Sequence, residues 1–281
     1  MANVHIVTDS VSQIPSALRH ELEIEVVPLP FVWDGKSYLD DAVEPRDFYA
    51  GLRAGNAVPS TSGPTPGAFK EKFERLGADG HPVLAVLVGR QFSSTQNAAT
   101  LAKGMVPGID VTIFDSALNT MALGFMVLAA ARAARAGEGL NDIVAMLGRL
   151  KASSGAVFAA PNISYLLRGG RISHLQHFLA RTLDLVPIME LRGGPIRLIQ
   201  RVRSERNVPE RLIALVSDRL GAARPARTAV VHVDAEAKAW QLSKEVEKRL
   251  APDELIVSEL TPVLGIHVGP DGLGIAYSSG A

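Results

Sequence analysis

Short polar side chains that could bind an anion follow several predicted strands of this 281-residue chain. Asp9-Ser10 and Asp115-Ser116 each end a short apolar run, and hydroxyl-rich segments occupy residues 59–66 and 92–95. Ligands of open parallel sheets bind beyond the carboxyl ends of the strands, where helix N-termini also offer free amides to an anion. The simpler interpretation of each Asp-Ser pair is a helix N-cap. The two hydroxyl clusters could instead bind one carboxylate or phosphate together.

Two arginines that flank a pair of glycines add positive charge to these candidate anion-binding residues. Arg168-Gly169-Gly170-Arg171 interrupts an apolar stretch that otherwise has helical character. Glycine adopts backbone conformations closed to other residues, so the chain can leave the helical path here. Arginine presents a planar fork of donors that fits a carboxylate or a phosphate. A plain helix stop explains the glycines as well, and both interpretations are retained.

The composition excludes several classes of protein. Lys plus Arg and Asp plus Glu both total 29, a balance that argues against a dedicated nucleic-acid-binding protein. The chain contains no cysteine, which excludes disulfides, thiolate nucleophiles and cysteine-based metal sites. It also lacks a Walker loop, a Gly-x-Gly-x-x-Gly after a strand and a Gly-x-Ser-x-Gly elbow. His174 and His177 have no carboxylate to complete a ligand set, so no metal site is predicted.

Hydropathy gives no sign of a membrane span. The longest uninterrupted apolar run covers residues 121–131, which is shorter than the ~20 residues that a spanning helix needs. The N-terminal segment MANVHIVTDS is typical of a strand and lacks the regions of a secretory signal. We therefore expect a cytoplasmic protein without stable membrane insertion.

The order of the predicted elements indicates an α/β protein with two domains. Strands and helices alternate over the first half, a pattern that predicts a parallel sheet with helices on both faces. In the second half, residues 185–191 and 195–201 predict an antiparallel hairpin, followed by helix, strand, helix and strand. We predict an N-terminal α/β domain at residues 1–157. A smaller C-terminal α/β domain with a mixed or antiparallel sheet is predicted at residues 158–281.

Three local expectations can be compared with a structure. Residues 24–33 are predicted as one extended run, and Asp34-Gly35 as a two-residue hairpin turn after it. The tail after residue 260 is glycine-rich, and no element is assigned to it.

A series of short motifs along residues 4–277 resembles the signatures of the DegV family, in the family's order. The motifs are TSGP at residues 61–64, FSST at 92–95, FDS at 114–116, YLLRGGRI at 165–172, the Pro-Ile within 186–189, RVR at 201–203 and HVGP at 267–270. The resemblance implies a long-chain fatty acid bound between an N-terminal and a smaller C-terminal α/β domain. It further implies the fatty-acid-carrying subunit of a fatty acid kinase. A separate ATP-dependent kinase subunit would then phosphorylate the bound carboxylate, giving an acyl phosphate.

The resemblance also assigns roles to individual residues. Thr61 and Ser93 would hydrogen-bond the fatty acid carboxylate, with the adjacent Ser62 in place of Thr61 if the motif is displaced by one residue. Arg171 and His267 would complete the polar network and later face the acyl phosphate. Arg203 would lie near the surface where the kinase subunit docks. The resemblance implies no catalytic residue, no metal and no cofactor in this chain. Purely structural roles remain as alternatives: Gly169-Gly170 could simply end a helix, and His267 could be a hydrogen-bonded histidine of the core.

Three positions depart from the family pattern. Ser94 stands where the family has glycine, Gly63 where it has glutamine, and Asp271 where it has glycine. We expect strain or a shifted loop at Ser94 if the family glycine needs positive φ or a close approach to the ligand. Asp271 would weaken anion binding unless its side chain points away from the site.

Two other classes of function fit the residues without the resemblance. One is a small-molecule hydrolase or phosphoryl-transfer enzyme for an anionic substrate, with Asp9, Asp115 and His267 as acid–base groups. The other is an α/β regulatory protein whose pocket has no natural ligand.

Overall fold

The computed structural model of the chain describes residues 4–55, 58–172, 185–221 and 227–279. Within these ranges the chain forms three sheets, of four, six and three strands. No helix there is long and apolar enough to cross a bilayer. The same ranges hold no group of three or more His, Asp or Glu side chains placed to bind a metal ion. His174 and His177 lie outside the described residues.

Strands and helices alternate through most of the chain. The strands are β1 (His5–Asp9), β2 (Glu25–Val27), β3 (Pro30–Trp33), β4 (Lys36–Leu39), β5 (Ser60–Thr61), β6 (Val83–Leu87), β7 (Val111–Asp115), β8 (Ser154–Ala159), β9 (Val186–Leu191), β10 (Arg197–Val202), β11 (Arg227–His232), β12 (Glu254–Glu259) and β13 (Leu273–Ser278). The α-helices in the described ranges are α1 (Ser16–Glu21), α2 (Pro45–Arg53), α3 (Pro66–Gly77), α4 (Thr95–Gly104), α5 (Thr120–Arg135), α6 (Leu140–Ser153), α7 (Ile163–Arg168), α8 (Val208–Leu220), α9 (Glu236–Leu250) and α10 (Pro262–Val268).

Strands β2, β1, β6 and β7 form a parallel sheet in that order. Every residue of the central β6 is a buried apolar side chain, as expected for a strand that is covered on both faces. Helices α3 and α4 cover one face through Phe69, Phe73 and Ala99. Helix α5 covers the other face. The predicted parallel sheet with helices on both faces is confirmed.

Helix α5 lies between the two larger sheets. It contacts β1 and β6 of the parallel sheet and β8, β11 and β13 of the six-stranded sheet. Fourteen of its sixteen residues are buried, because both sides of the helix meet a sheet. This position explains why residues 121–131 are apolar all round although the segment is too short to span a membrane.

The small antiparallel sheet β4-β3-β5 carries Thr61. Asp34 and Gly35 join β3 to β4 with φ values of 49° and 70°, the left-handed pair that a tight hairpin turn requires. The predicted turn is confirmed. The prediction of one extended run over residues 24–33 is wrong, because β2 and β3 belong to different sheets. Pro28 has no N–H for a strand ladder, and the N–H of Leu29 donates to Ser10 Oγ instead.

The six-stranded sheet has the order β10-β9-β8-β13-β11-β12. Its pairs are antiparallel except for β11 and β12, so the prediction of a mixed sheet in the second half is confirmed, as is the hairpin β9–β10. Helices α8 and α9 cover one face, and the other face points toward α5. The domain boundary predicted between residues 157 and 158 falls inside β8, which belongs wholly to this sheet; the division into two domains stays a prediction.

The glycine-rich tail contains two elements that the sequence did not indicate. It forms α10, which carries His267, and β13, which lies in the middle of the six-stranded sheet. Gly274 within β13 allows close packing, since a Cβ there would lie 2.8 Å from the Cβ of Phe158. Glycine in a strand often marks such a close approach.

Candidate functional site

A largely apolar cavity lies between the parallel sheet and the six-stranded sheet. It contains about 1020 Å³ of empty space, including its opening to solvent. The apolar side chains around it are Val11, Leu29, Val88, Phe92, Ala156, Phe158, Leu166, Ile172, Leu191, Ile196, Val231, Leu260, Val263, Leu264, Val268 and Leu273. Such a lining favours a hydrocarbon ligand.

The polar residues of the cavity include every residue predicted to bind a carboxylate. Thr61, Ser62, Ser93, Arg171 and His267 all line it, although they come from four separate segments of the chain. Thr61 Oγ1 lies 3.0 Å from His267 Nε2, and Arg171 Nη2 lies 3.4 Å from the same oxygen. The structure therefore joins three of them in one hydrogen-bonded group. Their roles toward a ligand stay a prediction.

Arg171 supplies the positive charge of this group. It follows α7 directly after Gly170, whose φ of 72° turns the chain out of the helix. Its Nη1 donates to Gly169 O at 2.6 Å and its Nε to Phe92 O at 3.2 Å. Burial lowers the pKa of the guanidinium from its usual value. Among the described residues no carboxylate forms an ion pair with Arg171, so its charge is available to an anionic ligand.

His267 is neutral at physiological pH. Burial, and to a lesser extent the charge of Arg171, lowers the pKa of its imidazole to about 4. Its Nδ1 is buried without a hydrogen-bond partner in the described part of the chain. An orphaned N–H is rarer in protein interiors than an orphaned acceptor, so we assign the proton to Nε2. Gly169 permits the close fit, because a Cβ there would overlap Nδ1 of His267.

This tautomer fixes the hydrogen-bond directions at Thr61. The Nε2–H of His267 and the Nη2–H of Arg171 both donate to Thr61 Oγ1. With both lone pairs engaged, the hydroxyl has only its own hydrogen to offer to a further group. Thr61 is thus prepared to donate to an acceptor such as a carboxylate oxygen.

Ser93 and Ser62 complete the hydroxyls at this end of the cavity. Ser93 Oγ lies 2.7 Å from Thr95 Oγ1 and accepts from the N–H of Thr95 at 3.2 Å. These bonds fix Ser93 just before the first turn of α4. Ser62 follows β5, and its N–H donates to Pro30 O at 3.2 Å. The small sheet therefore positions Ser62, and the start of α4 positions Ser93.

Two of the departures from the family pattern contact each other. A Cβ at Gly63 would overlap Ser94 Oγ, so the small residue at 63 makes room for the larger one at 94. Ser94 has a φ of −79°, which is an ordinary conformation for serine. Backbone strain from positive φ at Ser94 is therefore absent, and the effect of this serine on a closely approaching ligand stays a prediction.

Asp271 points away from the candidate site. Its carboxylate pairs with Arg53 at 3.1 Å and with Lys238 at 3.0 Å. Burial favours a higher pKa, but the hydrogen bonds and charges of Lys238 and Arg53 outweigh it and lower the pKa of Asp271. Its φ of 65° is a left-handed value, consistent with glycine at this position in the family. Asp271 does not line the cavity, which meets the condition for leaving anion binding unweakened; the binding itself stays a prediction.

Helix α10, which carries His267, is held by side chains from the first fifty residues. Asp40 accepts from Thr261 Oγ1 at 2.6 Å and from Val263 N at 2.8 Å, which caps the start of the helix. Gln13 Oε1 accepts from Thr261 N at 3.0 Å, and Tyr49 Oη donates to Leu260 O. Sequence reasoning missed these positioning residues, because nothing local marks a cap that lies more than two hundred positions away.

The carboxylates of the Asp-Ser pairs do not reach the cavity. Asp9 is buried, and its Oδ2 accepts from Val88 N at 2.8 Å; burial raises its pKa to about 7. For Asp115, burial favours a higher pKa, but hydrogen bonds from Gln96, Ala117 N and Arg90 outweigh it and lower the pKa. The N-cap interpretation is wrong for Asp115-Ser116, because α5 begins after Asn119. Asp9 stands at the N-cap position of a short 3-10 helix, Ser10–Ser12, but its side chain makes no cap bond there.

A second, more polar cleft borders the cavity. It shares Thr61, Arg171 and His267 with the apolar cavity and adds Ser60, Tyr165 and Arg168 among others. The guanidinium of Arg168 stacks 4.7 Å from the ring of Tyr165. The hydrogen-bonded group thus lies at the junction between an apolar interior and a surface cleft. Arg203, exposed directly after β10, lines neither space.

Two sheets around an apolar cavity, with hydroxyls and one arginine at its mouth, define a class of ligand-binding α/β proteins. The model of the DegV family, described as uncharacterised proteins, matches residues 3–280. The chain belongs to this family. A DegV domain-containing protein from Streptomyces coelicolor is 34% identical over 283 residues, which cover 99% of each chain.

Solved structures agree with this assignment. The fatty-acid-binding DegV-family protein from Thermus thermophilus superposes with a TM-score of 0.91 at 30% identity, covering 99% of this chain and 100% of that one. DegV of Bacillus subtilis, a fatty acid binding protein, gives a TM-score of 0.90 at 29% identity with the same coverage. The fold of this chain is therefore the DegV-family fold that the sequence motifs predicted.

Proposed function

We propose that this protein binds a long-chain fatty acid, with the acyl chain in the apolar cavity and the carboxylate at Thr61, Ser93 and Arg171. The observation that carries the proposal is the hydrogen-bonded group of Thr61, Arg171 and His267 at one end of an otherwise apolar cavity. The fatty acid binding of the Thermus and Bacillus relatives supports it. Ser62 and His267 complete the polar surroundings of the carboxylate.

The acyl chain supplies most of the binding free energy in this proposal. Burying about 14 methylenes at ~0.8 kcal/mol each contributes roughly 11 kcal/mol, before the entropic cost of association. Each charge-assisted hydrogen bond to the carboxylate adds about 1.5–3 kcal/mol. The head-group residues therefore chiefly orient the ligand, with its carboxylate toward the surface cleft.

We further propose that the protein presents this carboxylate to a separate, ATP-dependent fatty acid kinase subunit in the cytoplasm. The surface cleft supports the idea, because it exposes Thr61, Arg171 and His267 from the solvent side. The kinase would approach along this cleft, with the exposed Arg203 contributing to docking. Arg171 and His267 would then face the acyl phosphate.

Replacement of Arg171 separates binding from presentation. Arg171→Ala keeps the apolar cavity, so we expect it to retain bound fatty acid. Without the guanidinium to orient the carboxylate, it should lose most of its phosphorylation by the kinase subunit and ATP. Phosphorylation is followed as acyl hydroxamate, and lipid content by denaturing extraction and mass spectrometry. Arg149→Ala, an exposed arginine on α6, is the matched control; unchanged turnover in Arg171→Ala contradicts the assigned role.

The same extraction of freshly purified protein decides between the proposal and the enzyme alternative. A stoichiometric fatty acid is expected. A tightly bound polar metabolite instead would favour a hydrolase or phosphoryl-transfer enzyme, although Asp9 and Asp115 lie outside the cavity lining. Finding neither would favour a regulatory protein without a natural ligand.

A further inference from the structure

Helix α5 begins at the cavity with a buried hydroxyl that has no hydrogen-bond partner. Thr120, the first residue of the helix, lines the cavity and is only 9% exposed. Among the described residues, no group forms a hydrogen bond with its Oγ1. Buried polar side chains are normally hydrogen-bonded, and a ligand in the cavity is where the missing partner of Thr120 can come from.

The backbone of Thr120 is also held in an unfavourable conformation. Its φ of 53° lies in the left-handed region, which a β-branched residue rarely adopts because its Cβ is crowded there. Such residues persist only where the surrounding structure fixes them, and they cluster at ligand-binding and active sites. Thr120 thus combines backbone strain with an unpaired buried hydroxyl, and no side-chain hydrogen bond within the described residues offsets either.

The start of α5 favours a ligand group that accepts hydrogen bonds. The helix has sixteen residues, and Asn119 at its N-cap position makes no side-chain cap bond. The first amides of a helix have no intrahelical acceptor, and the helix dipole adds positive potential around them. Asn119 lines the cavity together with Thr120, whereas no Asp or Glu is among the described residues that line it. This part of the lining therefore suits an anion.

Contacts between two loops place Thr120 beside the loop that leads to α4. Strands β6 and β7 are parallel neighbours, so the loops that follow them leave the same edge of the sheet. The N–H of Gly89 donates to Leu118 O at 2.9 Å, and Gln91 Nε2 donates to Ala117 O at 2.9 Å. The residues just before Thr120 are therefore joined to the loop at residues 89–92.

The loop at residues 89–92 also contacts the head-group residues. Ser93 follows it directly, and Phe92 O accepts from Arg171 Nε at 3.2 Å. We infer that Thr120 is a further ligand-binding residue, whose hydroxyl donates to a carboxylate oxygen of the bound fatty acid. The inference rests on the proposed function and adds a contact from another segment of the chain.

Thr120→Val tests the inference, because it removes the hydroxyl and keeps the shape and branching of the side chain. Dissociation constants of delipidated protein are measured by titration calorimetry for dodecanoate and hexadecanoate. Both acids should bind about tenfold more weakly and by the same factor, since the lost hydrogen bond is to the carboxylate that they share. Thr120→Ser keeps the donor and should bind within a few-fold of wild type. Thr120→Gly replaces Thr120→Val if the latter does not fold, because glycine adopts positive φ without strain.

Thr228→Val is the matched control. Thr228 Oγ1 is likewise buried without a hydrogen-bond partner among the described residues, but Thr228 does not line the cavity. This variant should leave both dissociation constants within about twofold. Wild-type affinity in Thr120→Val, no rescue by Thr120→Ser, or a loss that grows with chain length overturns the inference while the proposed function stands. Failure of the wild-type protein to bind either acid overturns the proposed function itself.

Discussion

At the scale of single residues, the proton on His267 Nε2 decides what Thr61 can do. Because the imidazole is neutral and donates to Thr61 Oγ1, the threonine hydroxyl is left as a donor. Arg171 donates to the same oxygen and provides the only charge of the group. A neutral histidine and a charged arginine together suit a monoanionic carboxylate.

Thr61→Val tests this arrangement, because it removes the hydroxyl and keeps the shape of the side chain. We expect a roughly tenfold loss of fatty acid affinity, equivalent to one hydrogen bond to a charged group, with the acyl chain still bound. Thr61→Ser keeps the donor and should bind within a few-fold of wild type. Titration calorimetry of delipidated protein measures both. Equal losses in the two variants would show that the hydroxyl is not the contributing group.

Asp9 provides a pH test that is independent of any ligand. Burial raises its pKa to about 7, whereas the unfolded chain releases this proton near 3.8. The stabilisation by protonated Asp9 is therefore complete below pH 3.8 and is lost as the pH rises through 7.

Asp9→Asn should accordingly be more stable than wild type at pH 8, by at most about 4 kcal/mol. The difference should shrink toward pH 4, because wild-type Asp9 is then protonated too. Urea unfolding between pH 4.5 and 8 measures it, with the exposed Asp110→Asn as control. A difference that does not depend on pH contradicts the raised pKa.

At this scale the sequence allowed us to predict which residues belong to the site, but not the hydrogen-bond partners of individual side chains. The motifs indicated Thr61, Ser93, Arg171 and His267, and all of them line one cavity. Asp9 was interpreted as a helix cap, yet it binds the N–H of Val88, 79 positions away. Such a partner is invisible to reasoning from neighbouring residues.

At the scale of elements, α10 is the part of the fold on which the site depends most. It has only seven residues, too few to be stable as a helix on its own. Asp40, Gln13 and Tyr49 hold its start from another part of the chain. His267, near its other end, therefore keeps its position relative to Thr61 only as long as these contacts exist.

Asp40→Ala removes two hydrogen bonds at the start of α10. We expect a loss of about 1–3 kcal/mol in unfolding free energy, a weaker hold on the fatty acid, and a His267 pKa that rises from about 4 toward its ordinary value. NMR titration of the histidine ring measures the pKa, and Asp41→Ala, its exposed neighbour, is the control. A loss of stability with unchanged His267 titration and unchanged affinity would make Asp40 a merely structural residue.

Most elements could be predicted from periodicity and turns, such as the Asp34-Gly35 hairpin. The exceptions include the run over residues 24–33, which is divided between two sheets, and the elements α10 and β13. Glycines at 269, 272 and 274 weaken the local strand signal, and β13 exists because β8 and β11 pair with it on both sides. Long-range pairing overrides a weak local preference there.

At the scale of the whole molecule, the cavity exists because two sheets face each other around α5. The α/β class and the mixed second sheet followed from the order of elements. The contact of α5 with both sheets could not be predicted from the sequence, because an apolar helix is compatible with any fully buried position. The lining comes from segments spread between Val11 and Gly274, so ligand binding should stabilise the molecule as a unit.

Thermal unfolding of delipidated protein during titration with hexadecanoate tests the central claim most directly. We predict a melting temperature that rises by several degrees and reflects one bound acid per chain, since a ligand at 100 times its Kd adds about 2.7 kcal/mol. Hexadecanol, which has the same chain but no carboxylate, should give a smaller rise. A melting temperature that stays constant with hexadecanoate would contradict the account of a fatty acid held between the two sheets.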